Sequence, residues 1–396
     1  MAMVKPEAAR GMLLVVLSTM MSLLALEAFL KWRPQFQAPA QYERVVFCGA
    51  SASRVREHDL FGWTEVPDNA YFEQQSEADG WAVHAYNSAG FRDLYDSGNE
   101  NVIVLGDSFT RGTLVNNDET FPYLLDLWNP GLAFHDFGTG GYGTANSLVV
   151  YEAKASRLDH ELVILAYYMG NDLNDNIRHH AKAAGAPENG ATSKRPGSPW
   201  YEALKDLNRG LSRVRVYNLL FHAVRSPSAR PGLSREQIEE GALATGALVS
   251  ALAEAVRAND ADLLIVALPS WNQIQNYSGV GKAARQRALL QGIADDWDNV
   301  HMLDLSDAIA RAGPERVYGI RDKHFSRYGY YLAAKVIHDW INAEWHGAPR
   351  PARQAPPFSP HRPPVEPDCR LIEGYRAAFM HPERSRREAP PGSGPP

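Results

Sequence analysis

Cysteine is almost absent from this chain: its 396 residues include only Cys48 and Cys369. Set so far apart, the two are not expected to build a disulfide framework, a CxxC metal site or a redox site, and they leave the compartment open. Charge of one sign is also scarce. Forty Lys and Arg stand against 46 Asp and Glu, for a net charge of −6 and no long basic block in the body. That balance offers nothing to a phosphate backbone, so nucleic acid is not an expected partner. Internal repeats are absent, as are HExxH spacing and a thiolate set. The adjacent His179 and His180 are therefore expected in a surface loop rather than on a metal. What is present is ordinary globular material, 45% hydrophobic and 22% charged. A chain of this composition buries a sizeable core and is not collagen-like, disulfide-dense or wholly disordered.

The ends differ from the body. After an N-terminal segment, residues 1–10, comes a mostly apolar run over residues 11–30, flanked by Lys5 and Arg10 before it and Lys31 and Arg33 after it. About 20 such residues can cross a bilayer. No small-x-small cleavage site follows directly, because Ala38-Pro39-Ala40 lies beyond the charged stretch. An uncleaved transmembrane signal-anchor is thus expected over a cleaved signal peptide, with Glu27 paired to Lys31 one turn on. Positive charge on both flanks orients the helix only weakly. At the other end, half of the 26 prolines follow Ala348. Residues 348–396 are expected to be a disordered, non-catalytic tail.

Between the ends, residues 42–100 are rich in aromatics and turn formers, as in Phe61-Gly62-Trp63, and read as an irregular or β-containing lead-in. Residues 101–347 alternate. Short apolar runs at Val102–Leu105, Ala133–Phe137, Leu162–Leu165, Leu263–Leu268 and Val300–Asp304 are separated by helical stretches at Glu119–Leu127, Ala145–Arg157, Glu236–Arg257, Ala283–Asp296 and Tyr328–Trp345. Strands alternating with helices predict an α/β domain with a parallel five-stranded sheet, whose chemistry belongs at the carboxyl ends of the strands. Residues 176–232 form an insertion between the third and fourth strands. Its apolar residues at helical spacing, among them Trp200, Leu204, Leu207 and Leu211, point to packing on the core, or to a cover over the site.

Those carboxyl ends carry Gly106-Asp107-Ser108, then Gly138 to Thr144, then Gly170-Asn171-Asp172; Asp322-Lys323-His324 follows the last strand. A serine placed directly after a strand leaves a tight turn with its hydroxyl above the sheet, which makes Ser108 a candidate nucleophile. His324 can fold back over the same ends as general base, with Asp322 orienting it and stabilising the imidazolium. Attack on an ester carbonyl builds an oxyanion, for which the backbone N–H groups of Ser108 and Gly141 and the Asn171 amide are the candidate donors. Asp107 and Asp172 are expected to hydrogen-bond loop backbone.

These four blocks, in this order and each after a predicted strand, resemble the SGNH/GDSL hydrolase superfamily over roughly residues 100–345, in a membrane-anchored, bacterial-like form. The resemblance implies a flavodoxin-like three-layer α/β/α sandwich and acyl hydrolysis or transfer through a serine ester. It implies Ser108 as nucleophile, His324 as base, Gly141 and Asn171 as oxyanion donors, and no metal or organic cofactor. The chain departs from the family pattern twice. Its acid, Asp322, stands two residues before the histidine rather than three, where Arg321 sits, and Phe109 replaces the usual leucine at a core contact.

Gly138-x-Gly140-x-x-Gly143 also fits a dinucleotide fingerprint, but it lacks the acidic residue that reading requires and leaves the serine and histidine blocks unexplained. Three readings of the function remain. The first is an anchored esterase with an extracytoplasmic domain, acting on an acyl ester of a lipid, glycan or small molecule. The second is an envelope glycan O-acetyltransferase using the same site, and the third a binding module without catalysis.

Overall fold

The computed structural model describes residues 6–32, 44–49, 51–74, 80–92, 100–183, 234–275, 281–319, 323–345, 355–359 and 366–373. The chain divides into two compact units, Met1–Glu43 with Gly190–Gly232, and Arg44–Asn189 with Leu233–Pro396.

In the first unit, helix α1 (Pro6–Trp32) forms over the N-terminal apolar run. Its large apolar side chains, from Leu14 to Phe29, are exposed. Among the described residues no helix is long and apolar enough to cross a membrane, so the span expected at residues 11–30 is a proposal rather than an observation.

The second unit opens with two small antiparallel sheets. Strands β1 (Arg44–Phe47), β4 (Ala70–Gln74) and β5 (Ala82–Ala85) form one; β2 (Val55–His58) and β3 (Gly62–Glu65) form the other. Strand β5 would be an edge, with backbone groups open to pairing. Side-chain amides close it: Val83 N–H donates to Asn116 Oδ1 at 2.9 Å, while Asn117 exchanges hydrogen bonds with the Ala85 N–H and C=O at 3.0 and 2.7 Å. The buried Arg92 guanidinium donates to the carbonyls of Val83, Arg111, Gly112 and Val115, so the lead-in is fastened to the main domain through backbone.

Five parallel strands make the central sheet: β6 (Glu100–Gly106), β7 (Leu132–Asp136), β8 (His160–Tyr168), β9 (Asp262–Leu268) and β10 (Val300–Asp304). Their spatial order is β10-β9-β8-β6-β7, the flavodoxin-like arrangement, with the switch of direction at β6. Helices connect the strands: α2 (Ser108–Arg111), α3 (Phe121–Trp128), α4 (Thr144–Ala153), α5 (Asp172–Ala183), α6 (Arg235–Arg257), α7 (Trp271–Gln275), α8 (Lys282–Asp296), α9 (Ser306–Ala312), α10 (Pro314–Val317) and α11 (Arg327–Trp340). Helices α6 and α11 begin on side-chain caps, at Ser234 and Ser326.

Alternation along the strands builds two cores. Val102, Val104, Leu162, Ile164, Leu264 and Val266 pack under α3, α9 and α11. Their neighbours Ile103, Leu105, Val163, Leu165, Leu263 and Ile265 pack under α4, α6 and α8. The result is three layers, helix on sheet on helix. A strand buried on both faces needs a continuous apolar run, which is why these segments stood out in sequence.

Three expectations are corrected. Cys48 and Cys369 form a disulfide across a sequence separation of 321, with Cα atoms 5.3 Å apart. Distance along the chain sets no limit once the fold returns the C-terminal segment to the first small sheet. There Ile372, 1% exposed, packs with Phe72 and Val83, so part of the 348–396 segment is ordered structure. His179 and His180 lie in helix α5 rather than in a loop. The rest of the insertion, from residue 184 to 232, lies outside the described residues.

Candidate active site

Strand β6 ends on Gly106, where a Cβ would stand 2.2 Å from Thr110 Oγ1 and 3.1 Å from the Ala166 carbonyl. Only glycine lets the chain turn here into α2 with the sheet closed up behind it. Asp107 caps the turn, its Oδ1 accepting the Phe109 N–H at 2.8 Å. Ser108 is thereby presented at the first position of α2, half-buried, above the carboxyl end of the sheet.

His324 arrives from the far end of the domain. Its loop is pinned by the antiparallel bridge between Tyr318 and Phe325, with Gly319 N–H donating to the His324 carbonyl at 2.7 Å and Ser326 N–H to the Val317 carbonyl at 2.8 Å. The Tyr318 hydroxyl donates to the Pro269 carbonyl, tying the loop to the end of β9. Lys323 takes a left-handed backbone, φ 63°, immediately before the histidine. Across a separation of 216 residues, His324 Nε2 lies 2.7 Å from Ser108 Oγ. Phe109, buried, packs its ring against His324 at 4.8 Å, Phe325 at 4.9 Å and Tyr168 at 4.1 Å. The residue in the usual leucine place is thus a core contact, and one that also walls the histidine ring. Asp322 lies outside the described residues.

The glycine loop after β7 lies beside the serine turn. Phe137 N–H donates to the Val104 carbonyl at 2.9 Å and Thr139 N–H to the Gly106 carbonyl at 3.2 Å, while Asp136 Oδ1 accepts the Gly138 N–H at 2.8 Å. Gly141 has φ +82°, a backbone that favours glycine. The loop after β8 is closed by Asp172, whose Oδ2 accepts the Tyr168 N–H at 2.9 Å. Gln273 and Gln286 donate to the Met169 carbonyl and Lys282 to the Gly170 carbonyl, which holds Asn171 between braced neighbours. Asp107 and Asp172 therefore both accept from loop backbone.

Burial shifts these two carboxyls. Asp107 is pushed up to about 6, mainly by desolvation, against the pull of the Phe109 N–H, the His324 charge and a hydrogen bond with the Asn171 side chain. Asp172 is raised well above the carboxylate range by burial and then by the charges of Asp107 and Asp175.

Two residues of the site escaped the sequence reading. Trp63 Nε1 donates to the Gly140 carbonyl at 3.0 Å, and the Tyr142 hydroxyl donates to the Trp63 carbonyl at 2.6 Å. Arg111, buried at the end of α2, donates to Glu65 Oε1 at 2.9 Å. Aromatic Phe61-Gly62-Trp63 was a visible signal in the lead-in, but its partner lies 77 residues away, beyond any local pattern. Among the described residues no cluster of His, Cys, Asp and Glu could hold a metal ion.

No family model matches the chain, and no curated protein matches it. Solved structures that it resembles include a two-domain esterase active on acetylated mannans, at 15% identity and a TM-score of 0.36, over 61% of this chain and 49% of that one. This chain spans about half the length of that esterase. A member of the lipolytic G-D-S-L family from Veillonella parvula matches at 12% identity and 0.38, over 62% and 99%. An acetyl xylan esterase matches at 13% and 0.38, over 61% and 99%.

Proposed function

We propose that this chain is a serine ester hydrolase of the SGNH/GDSL type. The observation that carries the reading is the 2.7 Å contact between Ser108 Oγ and His324 Nε2 at the carboxyl end of the sheet, made by residues 216 positions apart. In this reading Ser108 Oγ attacks the carbonyl carbon of an acyl ester while His324 Nε2 takes its proton. The tetrahedral oxyanion is met by the N–H groups of Ser108 and Gly141 and by the Asn171 amide. An amide NH2 has two donors, so Asn171 can serve Asp107 and the oxyanion together. Collapse expels the alcohol, which leaves with the proton from His324. Water then repeats the sequence on the acyl-enzyme, releasing the acid and restoring Ser108. Asp322 has the role of orienting His324.

A sugar hydroxyl replacing water in the second half would make the same intermediate an O-acetyl donor, and the ratio of transfer to hydrolysis with added oligosaccharide divides the two outcomes. The binding-module reading leaves the Ser108–His324 contact without a use. For location we propose an extracytoplasmic domain anchored by residues 11–30. The Cys48–Cys369 disulfide supports an oxidising compartment, and the exposed Leu14, Val15 and Met21 on α1 support contact with lipid.

The test uses the full chain in detergent with short p-nitrophenyl esters and a fluorophosphonate probe. Turnover and labelling are expected in the wild type and at least a thousandfold lower in Ser108→Ala and His324→Ala. A folded wild type that neither turns over nor labels would overturn the reading.

A further inference from the structure

Trp63 belongs to the lead-in sheets, outside the strand ends that carry the serine and histidine, yet its indole reaches the glycine loop. The Nε1–H bond goes to the carbonyl of Gly140 at 3.0 Å. That carbonyl and the N–H of Gly141 belong to one peptide unit, which is planar and trans, so the two groups point in opposite directions. Holding the oxygen on one side fixes the aim of the hydrogen on the other. We infer that Trp63 is a positioning residue that aims the Gly141 N–H at the oxyanion. The inference rests on the ester-hydrolysis reading and deepens it.

The surroundings suit that task. Glycine at 140 and 141 leaves this peptide the softest in the loop, since neither side carries a side chain to restrain rotation. Trp63 is itself restrained. Its carbonyl accepts from the Tyr142 hydroxyl at 2.6 Å, and its ring meets the Tyr142 ring edge-on at 5.5 Å. The neighbouring Asn146 amide donates to the Phe61 carbonyl at 3.1 Å, and Glu65, two residues after the tryptophan, is clasped by Arg111. A Cβ on Gly140 would stand 3.4 Å from Arg111 Cζ, and one on Gly141 would stand 3.3 Å from Trp63 Cζ2. The peptide thus lies between the guanidinium and the indole, with one directed bond to set its rotation. The lead-in becomes a part of the catalytic apparatus rather than a spacer before it.

An aiming role and a packing role part company when the N–H is removed and the shape kept. The experiment compares wild type, Trp63→Phe, and a protein carrying the benzothienyl isostere of tryptophan at 63, in which sulfur replaces the N–H. Kinetics with p-nitrophenyl acetate are read beside thermal unfolding. Removing one oxyanion donor outright costs about 100- to 1000-fold in kcat, and a misaimed donor is expected to cost about 10- to 100-fold. KM should stay within about twofold and the isostere protein should unfold at the wild-type temperature. Affinity for a boronic acid, which forms a tetrahedral adduct on Ser108, should fall by the same factor as kcat. A rise in KM with kcat unchanged would make Trp63 a substrate platform and overturn the inference, as would an isostere protein with wild-type kcat. If wild type itself shows no Ser108-dependent turnover, the ester-hydrolysis reading falls first and takes this inference with it.

Discussion

Two sets of buried ionisable groups flank the Ser108 turn, and they answer their charge in different ways. Behind the glycine loop, Arg111 faces Glu65 at 2.9 Å and Glu73 at 3.9 Å, with Arg54 reaching Glu73 at 3.4 Å. Beneath the serine, Asp107 and Asp172 face each other's charge, and each is held by one backbone N–H. Burial raises Glu65, Asp107 and Asp172, but around Glu65 the Arg111 charge is the main opposing cause. The first set holds its charges by mutual attraction and is part of the frame. In the second, Asp107 is pushed up to about 6, so its charge depends on the working pH.

Breaking the first set should have the largest effect. Arg111→Met leaves Glu65 and Glu73 buried with less compensating charge and is expected to cost about 3–5 kcal/mol in urea unfolding. Adding Glu65→Gln should restore part of that loss, a sign that the uncompensated charge was the cause. Equal stability of the single and double variants would show packing to be the cause instead.

The second set is read through pH. The folded-state pKa of Asp107 is raised, to about 6, so between its ordinary range and that value the unfolded chain has lost a proton that the folded chain keeps. The contribution of Asp107 to stability is therefore greatest at low pH. It declines as pH rises through this window, by about 1.4 kcal/mol per unit. Asp107→Asn keeps an acceptor for the Phe109 N–H and removes the titration, so its unfolding free energy should rise relative to wild type across that window. Parallel curves would show that Asp107 titrates normally.

The smallest effect belongs to an exposed pair. Arg235 and Glu239 on α6 meet at 3.2 Å with the arginine 86% exposed, and Arg235→Ala should change stability by less than about 0.5 kcal/mol. A larger change would undo the contrast between buried and solvated charge on which the first comparison rests.

What could be read from sequence follows the range of the interactions involved. The five strands and their helices showed because burial on two faces demands runs such as Leu263–Leu268, and helix boundaries moved by only a few residues. Ser108 showed because a serine after a strand is a local signal, and His324 because its block follows the last strand. Their meeting at 2.7 Å is tertiary. Trp63, Arg92 and Arg111 did not show, because each acts on backbone or side chains that only the fold brings near. An arginine whose partners are carbonyl groups leaves no trace in residue identity. The cysteine pair did not show for a related reason: separation along the chain does not set separation in space.

That bond has a consequence for how the molecule is made and broken. Cys48 leaves the ribosome 321 residues before its partner, a wait on the order of half a minute at roughly 5–20 residues per second. The bond can close only around a domain whose five strands have already been synthesised. Once closed, it makes the backbone from the first small sheet to the C-terminal segment a covalent ring. A single proteolytic cut anywhere inside that ring, the proline-rich stretch before Cys369 included, leaves one particle of unchanged mass on a non-reducing gel and two pieces after reduction.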